Sequence, residues 1–278
     1  MNRIGLSVPS FSINEEMFQK LSKAGITAIE VCHSRKEHLE YDNFEKFAEW
    51  SKQYGVELWS YHLPFYDREL RFDISHDGTA DNTVALFCNI IKEAAAAGIK
   101  RFIVHPSAEP IKDEDRSAKM ERSKKTLLAL AEFADTVGAV ICVEDLPRTC
   151  LGRNSAELME LISVHPSLRV CFDTNHLLSE PFVDFIHALG DKIVTLHVSD
   201  YDFIDEKHWL PGEGLVDWHL LYRTLCEVGY DQVWLYELGF HHDGLNRSRD
   251  LTCEDFVQNA REIFEGKPIT TLLVDKQA

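Results

Sequence analysis

The sequence predicts an α/β protein folded as a single (β/α)8 TIM barrel over residues 1–278, with a polar tail from about residue 266. Three observations carry that expectation. Short apolar runs alternate with segments of helical period from one end of the chain to the other, without a low-complexity linker or a break in composition. Runs such as Ile193 to Leu196 hold almost no polar side chain, the pattern of strands covered on both faces. The length suits a barrel, which commonly takes about 250 residues as one unit. Strand and helix in alternation imply right-handed parallel crossovers, and eight of them favour closure over an open sheet. No Gly-x-Gly-x-x-Gly follows the first strand, which counts against a dinucleotide-binding sheet.

The first strand is expected at Ile4 to Val8. Asn14 to Ala24 follows with Met17, Phe18 and Leu21 on one helical side, and Gly25 stops it, because glycine accepts the left-handed conformation. Thr27 to Val31 gives the second strand and Asn43 to Tyr54 the second helix, closed by Gly55. Val56 to Tyr61 is the third strand; after a longer loop, Thr79 to Ala97 is a helix ended by Gly98. Arg101 to Val104 is the fourth strand, Ser117 to Val137 a long helix ending at Gly138, and Ala139 to Val143 the fifth strand. Asn154 or Ser155 caps a helix that runs to about Val164. Leu168 to Phe172, Lys192 to Leu196 and Gln232 to Tyr236 complete the strands, with helices at Pro181 to Leu189, Val216 to Val228 and Thr252 to Phe264.

Composition narrows the functions. Apolar content of 45% and charged content of 27% are those of an ordinary soluble protein. A net charge of −17 disfavours a nucleic-acid backbone as partner, and the densest basic cluster, Lys119 to Lys125, reads as a solvated helix face. No apolar run approaches the roughly 20 residues that cross a bilayer, and the first residues lack a signal-peptide layout. The expectation is a cytoplasmic protein with a small-molecule substrate and neither membrane nor nucleic-acid partner, with room left for a homo-oligomer. The seven cysteines, odd in number and without C-x-x-C spacing, read as reduced thiols, several of them buried.

Chemistry is expected where a barrel gathers the C-terminal ends of its strands. The residue after each run gives His62, His105, Glu144, Asp173 with His176, His197 and Glu237, and the loop after strand seven adds Asp200, Glu206 and His208. Taken singly, a strand-end Asp or Glu reads as a helix cap and a His as a core or turn residue. Six of eight strand ends carrying a metal-type ligand is hard to obtain from caps alone. Carboxylates with imidazoles select one divalent ion of the Mn, Co, Zn or Mg group, and the lack of cysteine ligands argues against structural zinc. Such an ion polarises a carbonyl and stabilises the enediolate left when a neighbouring C–H is deprotonated. Glu144 and Glu237 approach from opposite sides of the mouth, so one is placed to take the proton and the other to return it.

These residues sit in words of a known superfamily: Val143-Glu144-Asp145, Cys171-Phe172-Asp173-Thr174-Asn175-His176, Leu196-His197-Val198-Ser199-Asp200, Pro211-Gly212-Glu213-Gly214 with Asp217-Trp218, and Leu235-Tyr236-Glu237, joined by His62-Leu63-Pro64 and His105-Pro106. The chain resembles the xylose isomerase-like barrels, which include sugar and sugar-phosphate isomerases and epimerases, inosose dehydratase and the apurinic endonuclease family. The resemblance implies Glu144, Asp173, His197 and Glu237 as metal ligands, with both glutamates doubling as acid and base. It places His62, His105, His176 and His208 in the substrate pocket, and offers Trp59, Trp209 and Phe240 as a sugar-stacking wall. The implied function is a metal-dependent isomerase or epimerase of a small sugar, sugar acid or sugar phosphate, or a polyol dehydratase working by the same deprotonation. Leu146 stands where hydride-shift aldose isomerases have a Lys, which counts against that mechanism, and Phe203 stands where the keto-sugar 3-epimerases have an Arg, which counts against close kinship with them. The rival is a zinc endonuclease, whose nine ligands find counterparts in His62, His105, Glu144, Asp173, His176, His197, Glu206, His208 and Glu237, with Glu206 in place of Asp and Ser107 in place of a glycine. The acidic charge weighs against that rival. Arg148 and Arg153 are the nearest candidates for holding a phosphate.

Overall fold

A computed structural model describes residues 3–33, 36–65, 72–78 and 80–274. Eight strands alternate with eight helices: β1 (Arg3–Pro9), α1 (Glu15–Ala24), β2 (Ala28–Cys32), α2 (Phe44–Tyr54), β3 (Glu57–His62), α3 (Ala80–Ala96), β4 (Arg101–Val104), α4 (Asp113–Thr136), β5 (Val140–Glu144), α5 (Ser155–Ile162), β6 (Arg169–Asp173), α6 (Phe182–Leu189), β7 (Ile193–His197), α7 (Trp218–Glu227), β8 (Val233–Tyr236) and α8 (Cys253–Phe264). The strands are parallel and run β7-β6-β5-β4-β3-β2-β1-β8. Val198 closes the ring: its N–H donates to Leu235 O at 2.8 Å, and Glu237 N–H donates to its carbonyl at 3.1 Å. The result is the (β/α)8 barrel expected from the alternation.

Local chemistry sets the element ends. Asn14, Asn43, Asn154 and Asp217 each accept a hydrogen bond from the first turn of the helix they precede, and Thr252 with Asp255 forms a capping box, devices that contribute roughly 1 kcal/mol apiece. The glycines read as helix stops, from Gly25 to Gly229, have the positive φ that role requires. α4 starts four residues earlier than the periodicity predicts, because Asp113, Glu114 and Asp115 favour the positive end of the helix dipole. The predicted start of α3, Thr79, lies outside the described residues.

Sheet and helices pack into one shell of buried apolar side chains, while two smaller clusters fill the barrel itself. One comprises Ala28, Trp59, Val233 and Leu235; the other is Ile103, Cys142 and Cys171, with Val140 and Val194 against it. All seven cysteines are free, so Cys142 and Cys171 act as small core residues. Two register shifts position what lies above. Ser60, not Trp59, pairs with Glu30, and Thr195, not Val194, pairs with Cys171. Since side chains alternate along a strand, these shifts turn Ser60 with His62, and Thr195 with His197, toward the barrel axis.

Candidate metal centre

Strands one residue longer at their C-terminal ends than the apolar pattern suggests carry the ligand types into the sheet. His62, Glu144, Asp173 and His197 end β3, β5, β6 and β7, while His105 and Glu237 directly follow β4 and β8. Glu144, Asp173, His197 and Glu237 bring one ligand atom each to within 4.8 Å of the others, and His62 forms a second such group with Glu144 and His197. Glu144 is the hub. Its Oε2 lies 3.0 Å from Nε2 of both His62 and His105, and its Oε1 lies 3.0 Å from His197 Nδ1. Glu237 Oε2 stands 3.1 Å from that same Nδ1.

The electrostatics follow from crowding acids and imidazoles in a dry place. Burial opposes charge on Glu144, yet His197 and His105 beside it hold its carboxyl well below the usual range. Glu237 is lowered in the same way by His197, against its burial. Asp173 goes the other way: burial pushes it well above the carboxylate range, and repulsion from Glu237 and Glu144 adds to the rise. Burial lowers His105, whereas His62 and His197, although buried, are raised by the carboxylates around them. Only one Asp173 oxygen is hydrogen-bonded, to Asn175 N–H at 2.7 Å; Oδ2 is buried without a hydrogen-bond partner. Its nearest ring nitrogen, His176 Nδ1 at 3.4 Å, is directed instead at the Asp145 carbonyl at 2.8 Å. An unsatisfied buried carboxylate oxygen beside two further carboxylates and an imidazole fits a divalent cation, and the all-oxygen-and-nitrogen donor set suits the Mn, Co, Zn and Mg group.

A second group lies beside the first. His176 Nε2 meets Glu206 Oε1 at 2.9 Å, and His208 completes a triplet of candidate ligands with them. Glu206 is held down to about 2, against its burial, by His176 and Arg148. His208 sits at φ 52°, a strained value for a residue with a Cβ, and its Nδ1 lies 3.2 Å from the Glu237 carbonyl. Arg148, considered above for phosphate, is already committed: it pairs with Glu109, Asp205 and Glu206 and so ties three mouth loops together.

Other expected site residues do different work. Asp200 is an anchor, accepting hydrogen bonds from the N–H groups of Tyr201, Gly212, Gly214 and Val216 and from the Trp218 indole. A Cβ at Gly214 would overlap Asp200 Oδ1 and the Tyr201 carbonyl, so the Pro-Gly-Glu-Gly turn needs glycine there. Trp209 bridges back to Asp200 through its backbone, and its indole N–H is buried without a partner. Trp59 is not brought to the mouth. It lies low in the barrel, its Nε1 donating to Thr195 Oγ1 at 3.0 Å, with the Arg101 guanidinium 3.4 Å and that of Arg3 5.2 Å from its ring. Phe240 packs on Phe256 and faces the groove between α1 and α8.

Three residues of the site escaped the sequence reading. Phe65 stacks on His105 with ring centroids 4.4 Å apart. Asp145, pushed up to about 8 by burial, accepts the Asp173 N–H at 2.6 Å. Glu30, fully buried on β2, faces the far nitrogen of His197. The signal for Glu30 was present, since one carboxylate inside the apolar run Ala28-Ile29-Glu30-Val31-Cys32 requires a buried partner.

Comparison with known proteins agrees with the fold. The family model described as xylose isomerase-like TIM barrel matches residues 18–255. An uncharacterized protein of Methanocaldococcus jannaschii, MJ1311, is 26% identical over 224 residues, covering 77% of this chain and 75% of that protein. Fructoselysine 3-epimerase of Escherichia coli O157:H7 is 28% identical over 149 residues, but the match spans only 48% of this chain and 54% of the enzyme. Among solved structures, a D-tagatose 3-epimerase-like protein superposes with a TM-score of 0.78 at 22% identity, over 94% of this chain and 97% of the other. Proteins with 3-epimerase names therefore stand among the similar ones, at the modest identities of 28% over about half the chain and 22% in the superposed structure.

Proposed function

The chain belongs to the xylose isomerase-like TIM barrel family, and from that membership and the ligand ring at the barrel mouth we infer a metal-dependent epimerase or isomerase of a small sugar. The observation that carries the reading is the convergence of Glu144, Asp173, His197 and Glu237, with one Asp173 oxygen left unsatisfied. Those four residues would hold the ion. When bound, it supplies a positive charge against which the negative charge developing on a carbonyl oxygen is stabilised.

The remaining steps belong to the protein. Glu144 and Glu237 both lie against His197 Nδ1 and reach the centre from different strands, β5 and the end of β8. Each is kept ionised by neighbouring imidazoles, so each is able to accept a proton from the carbon beside the carbonyl, and its protonated form returns one. His62 and His105 hold Glu144 in place through Oε2, leaving the outcome at the second face to Glu237. Phe65, stacked on His105, presents an aromatic wall suited to a sugar C–H face. The fructoselysine 3-epimerase relative makes ketose 3-epimerisation the first activity to assay.

Incubation of candidate ketoses in deuterated water tests this. Deuterium appearing at the carbon next to the carbonyl, dependent on added divalent ion, is the expected result. Binding without exchange would make the protein a silent sugar receptor and sink the reading. The His176, Glu206 and His208 triplet favours one second reading, the zinc endonuclease, because it gives the nine candidate ligands a further centre. Metal analysis separates the two: one tightly held ion per chain is expected, and three zinc ions with cleavage of abasic DNA would favour the nuclease.

A further inference from the structure

Glu30 is a fully buried carboxylate outside the ligand ring. Ser7 Oγ donates to its Oε1 at 2.9 Å and Ser60 Oγ to its Oε2 at 2.6 Å. His197 Nε2 lies 3.1 Å from one oxygen and 3.2 Å from the other. Among the described residues no Lys or Arg pairs with it, so His197 is the group that answers its charge. An ionised carboxylate only accepts hydrogen bonds, which makes Nε2 the protonated nitrogen of His197. In the neutral ring the lone pair then sits on Nδ1, which faces Glu144 Oε1 at 3.0 Å and Glu237 Oε2 at 3.1 Å. A cation lying among those carboxylates would take the place of a proton on Nδ1 and meet this lone pair.

We propose that Glu30 is a positioning residue for a divalent cation at the mouth: it locks His197 with Nε2 protonated and Nδ1 bare, fixes the plane of the ring, and makes Nδ1 a stronger donor. The inference rests on the metal reading above. Carboxylate, imidazole and ion in line is a general device for orienting a ligand and raising its basicity. Here it spans four strands, with Ser7 on β1, Glu30 on β2, Ser60 on β3 and His197 on β7. The register shift in β3 supplies one of its parts, because it sets Ser60 opposite Glu30 and leaves Trp59 unpaired. A carboxylate serving only to fill space would be replaced by glutamine without consequence.

The test compares wild type, Glu30→Gln and Ser60→Ala, reading zinc affinity by competition with a chromophoric chelator, without substrate. Nitrogen-15 NMR of the zinc-loaded proteins reads the ring N–H of His197. Glu30→Gln keeps size but removes the charge that selects the tautomer, so zinc affinity should fall about 10–100-fold. The His197 N–H proton, far downfield and slow to exchange in wild type, should lose both properties. Ser60→Ala leaves the charge but loosens its aim; a smaller fall in the same direction is expected, and this variant carries the test if Glu30→Gln does not fold. Affinity within about twofold of wild type with an unchanged N–H signal, in whichever variants fold, overturns the proposal. A wild-type protein that takes up no divalent ion would instead overturn the metal reading, and this proposal with it.

Discussion

The two ends of the barrel interior are built from opposite materials. At the strands' C-terminal ends, His62, Glu144, Asp173 and His197 are buried beside one another, and Asp173 lacks a partner for one oxygen. Lower down, Trp59 bonds to Thr195 and packs with Ala28, Val233 and Leu235, while Arg101 and Arg3 stack on its indole. The floor satisfies nearly every group it buries and gains from dispersion and cation–π contact. The mouth crowds carboxylates together, and at Asp173, pushed up by burial and by Glu237 and Glu144, it keeps an unfavourable interaction that a cation would relieve. Floor substitutions should therefore change stability without touching chemistry, and mouth substitutions the reverse.

The sharpest way to break that contrast is Glu144→Gln. It removes the carboxylate common to His62, His105 and His197, and a loss of about 10²–10⁴-fold in turnover is expected from the lost proton transfer alone. The metal-free variant should melt close to wild type, because two effects oppose: His62, His105 and His197 lose the carboxylate that pairs with them, while Asp173 and Glu237 lose a like charge beside them. A retained kcat, or a melting temperature several degrees lower, would remove the division between the ends. Next in size is metal depletion: chelation should abolish ion-dependent exchange and lower the melting temperature, since ligand binding to the folded state stabilises it by about 2.7 kcal/mol at a free concentration of 100 Kd. An unchanged melting curve on re-addition of ion would show that the mouth needs no cation.

Gly5 probes the floor. A Cβ there would approach Val233 Cγ1 to 2.7 Å, with Ala28 and Leu235 close behind. Overpacking of this kind costs about 1–3 kcal/mol, so Gly5→Ala should lower the melting temperature by several degrees while kcat and metal affinity stay within about twofold of wild type. A collapse of activity at preserved stability would mean that floor and mouth are mechanically coupled.

How far the sequence shows this division depends on how local its causes are. The barrel was readable because each strand and helix declares itself within about ten residues, through period, cap and stop. The six strand-end ligand types were readable because the fold converts sequence position into spatial neighbourhood. Glu30 was overlooked because its meaning depends on Ser7, Ser60 and His197, which only closure of the barrel brings to it. Trp59 was assigned to the mouth because an aromatic in β3 gives no sign of depth, which a one-residue register shift decides. Asp200 shares a loop with Glu206 and differs from it in having five donors, four of them in its own loop and Trp218 beyond it, a difference that composition cannot reveal.

The smallest effect is expected from Trp59→Phe, and it separates the two ends most finely. Phenylalanine keeps an aromatic face for Arg101 but removes the N–H that bonds Thr195, one residue pair below His197 on β7. Loss of that bond leaves the Thr195 hydroxyl free to rotate to another acceptor, so the stability cost should be about 1 kcal/mol plus the volume lost to a smaller ring. Sugar affinity should not move if the indole is part of the floor. A rise in KM for every ketose tested, with the melting temperature held, would return Trp59 to the substrate wall and move the boundary between floor and mouth down by one layer of side chains.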